Sequence, residues 1–520
     1  MHASTRYTIR VALIVALGGF LMGFDASVIS GVVTFIEPEF RLSKIELGWA
    51  VASLTLTATI AMMIAGPLSD RLGRRAVLKI AAALFTVSAI AYALAPGFIT
   101  LVAARMLGGF GVGAALIIAP MYIAELAPAD IRGRMVSFNQ LNIVIGISAA
   151  FFSTYLIMCL GQSELSWAQT LGMDAWTWRW MLGVEALPAL FYFVALYTVP
   201  ESPRWLVMHG KDADALDIMA QVSSRAEAEA ELAEVRATRA AETRQQQASL
   251  RELFHPTMKL VLTIGVVVAV LQQITGINSV FFYAPMIFEQ SGIGTDASFM
   301  QAVLVGLVNL VFTVLAILLI DRLGRRPLLG FGLAGIAVCM LLLAYGFGVA
   351  TYSLDAAALA SLPPAIDPAA LQPMIGQVFD SDVAFRAGVI AAAGSEVYAN
   401  HQSALVAAAI DMNPTLVLVG ILGFVASFAI SLGPVMWVLF SELFPNRVRG
   451  LAISFVGLIN SAVSFTVQLV FPWELQNFGN SLTFLVYGLF AILGFFIVMR
   501  LLPETKGRSL EELERELVHH

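Results

Sequence analysis

Residues 271–285 read LQQITGINSVFFYAP, and they lie within an apolar run that is long enough to cross a lipid bilayer. The run carries three side-chain amides, Gln272, Gln273 and Asn278, and no charged residue. Hydrocarbon offers no hydrogen-bond partner to an amide, so we expect these side chains to face a bundle interior or a water-filled cavity. An amide both donates and accepts, which suits a polyol better than an ion or an apolar compound. The alternative is that the three amides only hold helices together, a contribution of about 1 kcal/mol each.

The composition is that of an integral membrane protein. Of the 520 residues, 59% are hydrophobic and 13% are charged, whereas a soluble domain carries about 25% charged residues. Apolar runs of about twenty residues recur along the chain and predict twelve transmembrane helices. They lie near residues 10–36, 46–69, 76–95, 99–124, 135–160, 176–199, 259–288, 298–320, 327–350, 415–440, 450–472 and 480–502.

The basic residues predict the orientation of these helices. With Met1 in the cytoplasm, all but five of the 30 Lys and Arg residues fall in cytoplasmic segments, as the positive-inside rule requires. Arg41, Lys44, Arg179 and Arg386 fall on the other side, and Arg105 lies within a helix. We therefore expect a multi-pass protein of the inner (plasma) membrane with both termini in the cytoplasm. The basic residues flank the membrane helices, so nucleic acid is not an expected partner.

The chain repeats itself in the same order. DRLGRR at 70–75 recurs at 321–326, the ELAP that begins at Glu125 recurs as the ELFP of Glu442, and PES at 200–202 recurs as PET at 503–505. Two six-helix halves related by a parallel repeat are the simplest account. The spacing between the first two pairs grows by 66 residues in the second half, which indicates an insertion at 351–414. We expect that insertion to be extracytoplasmic, partly helical and loosely structured.

These observations define the predicted fold class, an all-α membrane protein of twelve transmembrane helices in two six-helix bundles with cytoplasmic amphipathic helices. The predicted divisions are a first six-helix bundle at 1–200 and a cytoplasmic helical linker at 201–255. A second six-helix bundle follows at 256–502, with the insertion at 351–414 inside it, and a cytoplasmic tail at 503–520 ends the chain.

Several motifs together resemble the sugar porter family of the major facilitator superfamily. They are GFLMGFD at 19–25, DRLGRR at 70–75, RMLGGFGVG at 105–113, PMYIAE at 120–125, PESPR at 200–204, QQITGIN at 272–278, GPVMW at 433–437 and PETKG at 503–507. The resemblance implies a major facilitator fold and movement of a hexose or pentose by alternating access. It implies a sugar as the small-molecule partner, the lipid bilayer as surroundings and a monomer as the functional unit. The insertion is a departure that inositol-type members share, so a cyclitol substrate stays open.

The resemblance places the sugar near the membrane midplane. The implied substrate-binding residues are Gln140, Gln272, Gln273, Asn278, Asn309, Trp437 and Asn460. Amides match the paired donors and acceptors of hydroxyl groups, and an indole offers an apolar face with one donor. Helix-to-helix bonding is a competing interpretation for Gln140, Asn309 and Asn460, and an interfacial belt for Trp437. Phe282 and Tyr283 are the expected extracellular gate, although many family members have two tyrosines there.

Three charged residues lie away from the ends of the predicted helices, and the resemblance implies that they couple transport to protons. Asp25 lies in the first helix, Arg105 in the fourth and Glu185 in the sixth. A buried charge costs about 3 kcal/mol or more, so each needs a partner or water. Proton-coupled members pair an acid and an arginine at the positions of Asp25 and Arg105. A static ion pair is the alternative.

Acids and arginines also recur at the cytoplasmic helix ends, where the resemblance implies a latch that pairs and separates during transport. The residues are Asp70, Arg74, Arg75, Glu125, Arg132, Glu201 and Arg204 in the first half, and Asp321, Arg325, Arg326, Glu442, Arg449 and Glu504 in the second. Partly solvated Arg–carboxylate pairs are directional and breakable. The alternative is that the arginines only satisfy the positive-inside rule.

We therefore expect a proton-coupled monosaccharide transporter and no enzyme. The chain has no GxxxxGK[ST] motif, which argues against ATP-driven transport, and its six histidines show no metal-ligand spacing. No cofactor is expected, and the proton is the coupling ion. The alternatives are a proton-coupled cyclitol transporter, an uncoupled sugar facilitator and, more remotely, a non-transporting sugar sensor. The amide-rich run disfavours a drug–proton antiporter.

Overall fold

A computed structural model describes residues 3–127, 132–242, 250–445 and 447–505. Eleven stretches of this part are long and apolar enough to cross a membrane. The longest, Arg449–Leu501, joins two helices across Gly479, whose φ of 78° is not helical, so the spans number twelve. The twelve-span all-α fold predicted from the sequence is confirmed.

The spans are numbered in chain order. They are Ala3–Val28 (span 1), Lys44–Leu72 (2), Arg74–Ala93 (3), Phe98–Leu126 (4), Arg132–Gly161 (5), Thr177–Gly183 with Ala186–Ala195 (6), Lys259–Ile274 with Ile277–Glu289 (7), Thr295–Leu323 (8), Arg325–Gly348 (9), Pro414–Ile430 with Leu432–Leu443 (10), and the two parts of Arg449–Leu501 (11 and 12).

Three spans are interrupted, and the interruption of span 7 falls within the amide-bearing stretch 271–285. Gly276 adopts φ +95° between Ile274 and Ile277, a left-handed conformation that glycine adopts without the steric cost of a side chain. Span 6 is interrupted before Glu185 and span 10 at Ser431. A broken membrane helix leaves unpaired backbone groups, which are tolerated only inside protein or beside water.

The chain divides into two compact units. One unit comprises residues 1–27, 53–150 and 179–248, and the other comprises 28–52, 151–178 and 249–520. The first unit also holds helices Pro203–Met208, Asp212–Val222 and Arg225–Glu242, which pack around Leu206, Met219 and Leu232. The second unit holds the short helix Leu250–Leu253, where Glu252 pairs with Arg447 at 3.1 Å.

The insertion at 351–414 is folded, so the expectation of a loosely structured segment was wrong. Strand β1 (Thr351–Ser353) pairs antiparallel with β2 (Val378–Phe379) and β3 (Ile410–Asp411). Helices Ala356–Ser361, Pro368–Leu371, Asp382–Ala393 and Ser395–Ala409 surround this sheet. Tyr352, Phe385 and Leu405 are buried at the centre of a separate hydrophobic core. Strands of two or three residues are too short to show a period, so the sequence pattern missed them.

The end of the second unit that carries the insertion, called here the insertion side, is tightly packed. Helix Val33–Glu39 follows span 1, and Phe35 contacts Phe299 of span 8 edge-on at 6.2 Å. Trp49 of span 2 meets Phe465 of span 11 in the same way at 5.5 Å. At Gly48 a Cβ atom would lie 2.0 Å from the Leu469 carbonyl oxygen, so only glycine allows this approach. Residues 28–52 are thus held against second-half helices on the insertion side.

Candidate functional site

The amides of span 7 form one hydrogen-bonded network with span 11. Gln273 Nε2 donates to Gln272 Oε1 at 3.1 Å and to Asn460 Oδ1 at 3.2 Å. Asn460 Nδ2 donates to Gln272 Oε1 at 2.8 Å, and Asn278 Nδ2 donates to Gln273 Oε1 at 2.6 Å and to Ser464 Oγ at 2.6 Å. The structure therefore brings four of the predicted substrate-binding residues together.

Part of the network's bonding capacity is unused. Gln272 Nε2 donates only to the Leu432 carbonyl oxygen at 3.2 Å within the described part of the chain, although an amide nitrogen has two N–H groups. Asn278 is half-buried, and its Oδ1 accepts no hydrogen bond from any described residue. The remaining donor and acceptor leave the network able to bind a further hydroxyl group without breaking an existing bond.

The other predicted substrate-binding residues lie outside this network. Asn309 of span 8 is buried, whereas Trp437 of span 10 is 48% exposed and contacts Phe440 edge-on at 6.0 Å. Gln140 belongs to the first unit and is exposed. Within the described part of the second unit, neither Asn309 nor Trp437 forms a hydrogen bond with the four amides.

The two predicted gate residues lie on the second part of span 7. Phe282 and Tyr283 are both buried, and Tyr283 has non-helical backbone angles (φ −129°, ψ 16°). The Tyr283 hydroxyl donates to the Gln468 carbonyl oxygen at 2.9 Å, and its ring lies 5.2 Å from that of Phe471. The Tyr283 hydroxyl therefore links span 7 to span 11 by a hydrogen bond on the insertion side.

The first unit contains a fully buried charged cluster. Asp25 is 0% exposed, Glu185 0% and Arg105 1%. Arg105 Nη1 lies 3.7 Å from Asp25 Oδ1, and the Tyr92 hydroxyl donates to the same carboxylate oxygen at 3.2 Å. Both oxygens of Glu185 lack a hydrogen-bond partner among the described residues, and the carboxyl interacts electrostatically with Asp25 and Arg105.

The charges of this cluster do not balance when both carboxyls are ionised. Two carboxylates beside one guanidinium leave one excess negative charge in a buried site, which is costly. Binding one proton makes the cluster neutral. The arrangement is thus chemically able to exchange a proton, with Tyr92 and Arg105 holding Asp25 in place.

The predicted latch residues of the first unit form a compact cluster where spans 2, 3 and 4 have their cytoplasmic ends in the predicted topology. Arg74 donates from Nε and Nη2 to the two oxygens of Glu125, each at 3.0 Å, and from Nη1 to Asp70 at 2.7 Å. The backbone N–H of Arg75 donates to Glu201 Oε1 at 3.0 Å. Such bidentate pairs are strong and directional.

The second unit repeats this arrangement. Arg325 Nη2 donates to Glu442 at 2.7 Å, and the backbone N–H groups of Arg325 and Arg326 donate to Glu504, each at 3.1 Å. Arg449 differs, because its Nε donates to the Phe444 carbonyl oxygen at 3.1 Å instead of to an acid. The side chains of Arg132 and Asp321 lie outside the described part, and Arg204 has a partner.

Sequence reasoning missed several residues of these clusters. Ser464 and Gln468 follow Asn460 at intervals of four, and Gln468 Nε2 donates to Ser464 Oγ at 2.8 Å. That spacing places all three on one helix face and was a readable signal. Tyr92 gave no such signal, because a single tyrosine in an apolar helix is more often a core residue.

Twelve spans in a repeated arrangement, a polar network on a broken helix and a buried carboxyl pair define a membrane carrier. The family model described as "Sugar (and other) transporter" matches residues 11–362 and 385–517, and the unmatched internal residues fall within the insertion. The chain therefore belongs to the sugar transporter family, whose members are transporters and not enzymes.

Curated relatives and solved structures agree with this assignment. An arabinose-proton symporter of Bacillus subtilis is 33% identical over 98% of this chain and 95% of its own length. A D-xylose-proton symporter of Escherichia coli (strain K12) is 34% identical over 98% and 96%, respectively. The inward-open structure of the xylose transporter XylE from E. coli matches with a TM-score of 0.73, 32% identity and coverage of 98% of this chain and 100% of that one.

Proposed function

We propose that this protein imports a neutral monosaccharide, a pentose or hexose, together with a proton. It would work by alternating access in the plasma membrane, with both termini in the cytoplasm and a monomer as the functional unit. The names of its relatives support the substrate class, because they include symporters of arabinose and xylose and a glucose transport protein of Synechocystis. No cofactor is needed, since the proton gradient supplies the free energy.

The buried Asp25–Arg105–Glu185 cluster is the observation that carries the proposal. Two carboxyls in a buried site are costly when both are ionised, and exchange of a proton accounts for their presence together. Taking up one proton neutralises the cluster and changes its interaction with Arg105. That change favours either the inward-open or the outward-open state of the carrier, provided the cluster binds a proton with different affinity in the two states.

Sugar recognition is assigned to the amide network of spans 7 and 11. Hydroxyl groups would bind the free N–H of Gln272 and the free Oδ1 of Asn278, and Gln273 and Asn460 hold these two in position. Gln140, Asn309 and Trp437 are proposed as further contacts. Phe282 and Tyr283 are the proposed extracytoplasmic gate, and the two arginine–carboxylate clusters are the proposed cytoplasmic latch.

The test is sugar accumulation in proteoliposomes. With an imposed inward proton gradient of one pH unit, 1:1 coupling allows D-xylose or another transported monosaccharide to accumulate up to about tenfold. Equal uptake with and without the gradient, ending at equal concentrations, would identify an uncoupled facilitator. Competition by pentoses, hexoses and cyclitols in the same assay assigns the substrate, and stronger competition by a cyclitol would overturn the monosaccharide assignment.

A further inference from the structure

A cavity of about 260 Å³ lies between the insertion and the neighbouring helix ends of the second unit. The insertion contributes Arg386, Tyr398 and Gln402 to its wall, and residues 37–44 before span 2 contribute Glu37 and Lys44. This cavity is separate from the amide network, since it shares none of the network's residues. Its wall joins the insertion to Met286 of span 7 and Pro472 of span 11, at the extracytoplasmic ends of these spans in the predicted topology.

The charged groups of the cavity balance. Lys44 forms an ion pair with Glu37. Asp382, also in the wall, accepts hydrogen bonds from the backbone N–H of Asn480 at 3.0 Å and from its side chain at 2.7 Å. The wall therefore carries two acids, Glu37 and Asp382, and two bases, Lys44 and Arg386. Because the wall has no net charge, it does not favour an ion as the ligand.

Several polar groups of the wall have no hydrogen-bond partner among the described residues, although Arg386 interacts electrostatically with Asp382 and Tyr398. In the described part of the chain, the Arg386 guanidinium, the Tyr398 hydroxyl and the Gln402 amide make no hydrogen bond. Together they supply both donors and acceptors. A planar guanidinium and amides that converge on one small volume suit the closely spaced hydroxyl groups of a sugar.

The size of the cavity fits the same ligand. One water molecule needs a cavity of about 10 to 15 Å³ on this measure, so a cavity of about 260 Å³ has room for a small organic ligand. A single pyranose ring with its hydroxyl groups is a ligand of that kind. We propose that the cavity is a second carbohydrate site, which binds one neutral monosaccharide on the extracytoplasmic side.

Binding there has a consequence for transport, which rests on the proposed function. Residues 37–44 connect spans 1 and 2 of the first half, whereas the rest of the wall belongs to the second half and its insertion. In the proposed alternating access, the cavity is complete only while residues 37–44 and the second half are together, in the state that is closed on the extracytoplasmic side. A sugar bound in the cavity therefore favours that closed state, so a high external sugar concentration should slow uptake.

Equilibrium binding of radiolabelled D-xylose to the purified full-length protein tests the proposal. We expect two sites per wild-type chain, and one site in either Arg386→Ala or Ala399→Trp. The first variant removes the guanidinium, and the second fills the cavity from a position in its wall. Gln377→Ala is the matched control, because Gln377 is an exposed amide of the insertion outside the cavity. It should keep both sites, and thermal unfolding confirms that each variant is folded.

The transport-site variant Gln273→Ala separates the two proposals. Binding that survives Gln273→Ala and disappears on adding Arg386→Ala supports the second site. A single wild-type site that Gln273→Ala abolishes and Ala399→Trp leaves intact would overturn it without affecting the proposed transport function. Binding of D-glucuronate in the cavity in preference to D-xylose would overturn the assignment of a neutral ligand.

Discussion

The exchange of Gln273 for alanine tests whether the amide network binds sugar or only joins helices. Gln273 donates to Gln272 and Asn460 and accepts from Asn278, at distances of 3.1, 3.2 and 2.6 Å. The variant removes all three bonds, so the side chains of Gln272 and Asn278, which are proposed to bind sugar hydroxyls, are no longer held in position. If two hydrogen bonds to sugar depend on this positioning, at about 1 to 1.5 kcal/mol each, binding weakens by about 2 to 3 kcal/mol. That is roughly a 30- to 150-fold increase in Kd.

The assay is titration calorimetry of the purified variant with the best monosaccharide ligand, together with its thermal unfolding. Gln301→Ala is the control, since Gln301 is an amide of span 8 outside the network, and it should leave the Kd unchanged within about twofold. A Gln273→Ala protein that binds sugar with unchanged affinity but unfolds at lower temperature would refute the reasoning. The network would then serve only helix packing.

Three further predictions follow from the geometry. Asp25→Asn should abolish proton-driven accumulation while sugar exchange across the membrane continues, because the neutral amide leaves the charges of Arg105 and Glu185 balanced. Asp296→Asn, which changes an exposed acid, is the control. Sugar accumulation by the Asp25 variant would contradict the role of Asp25 in proton coupling. Gly48→Ala should destabilise the packed insertion side by about 1 to 3 kcal/mol and lower the temperature of thermal unfolding, whereas Gly66→Ala, where a Cβ meets no atom, should not. Equal unfolding temperatures would refute the packing argument. Burial raises the pKa of the Asp382 carboxyl above its ordinary value. The protonated carboxyl therefore stabilises the fold at low pH, and this contribution is lost as the pH rises through the folded-state pKa. Thermal unfolding measured from pH 4 to 7 should show the loss in the wild type and not in Asp382→Asn.

The fold was largely predictable because its signals are long and repeated. Twenty-residue apolar runs specify the spans, and the recurrence of DRLGRR at 70–75 and 321–326 indicates the two halves. The insertion was located by spacing, but its folded core was missed. The helices that contain Phe385 and Leu405 are Ala-rich, and the burial of these two residues depends on contacts that no local period encodes.

The candidate site was predictable where polar residues break an apolar run. Gln272, Gln273 and Asn278 stand out in the sequence, and Asn460 joins them in space at hydrogen-bonding distance. Asn309 was equally conspicuous, yet it lies outside the network, since helix rotation decides which face meets which neighbour. The converse holds for Tyr92, whose hydroxyl reaches Asp25 only through tertiary packing.

Proton movement on sugar addition is the most direct test of the central claim that a buried carboxyl cluster couples sugar entry to proton entry. Proteoliposomes in a lightly buffered medium without an imposed gradient are given sugar, and the external pH is recorded. We expect the medium to become alkaline with about one proton removed per sugar taken up, since one proton neutralises the Asp25–Arg105–Glu185 cluster. Sugar uptake at a constant external pH would contradict the account.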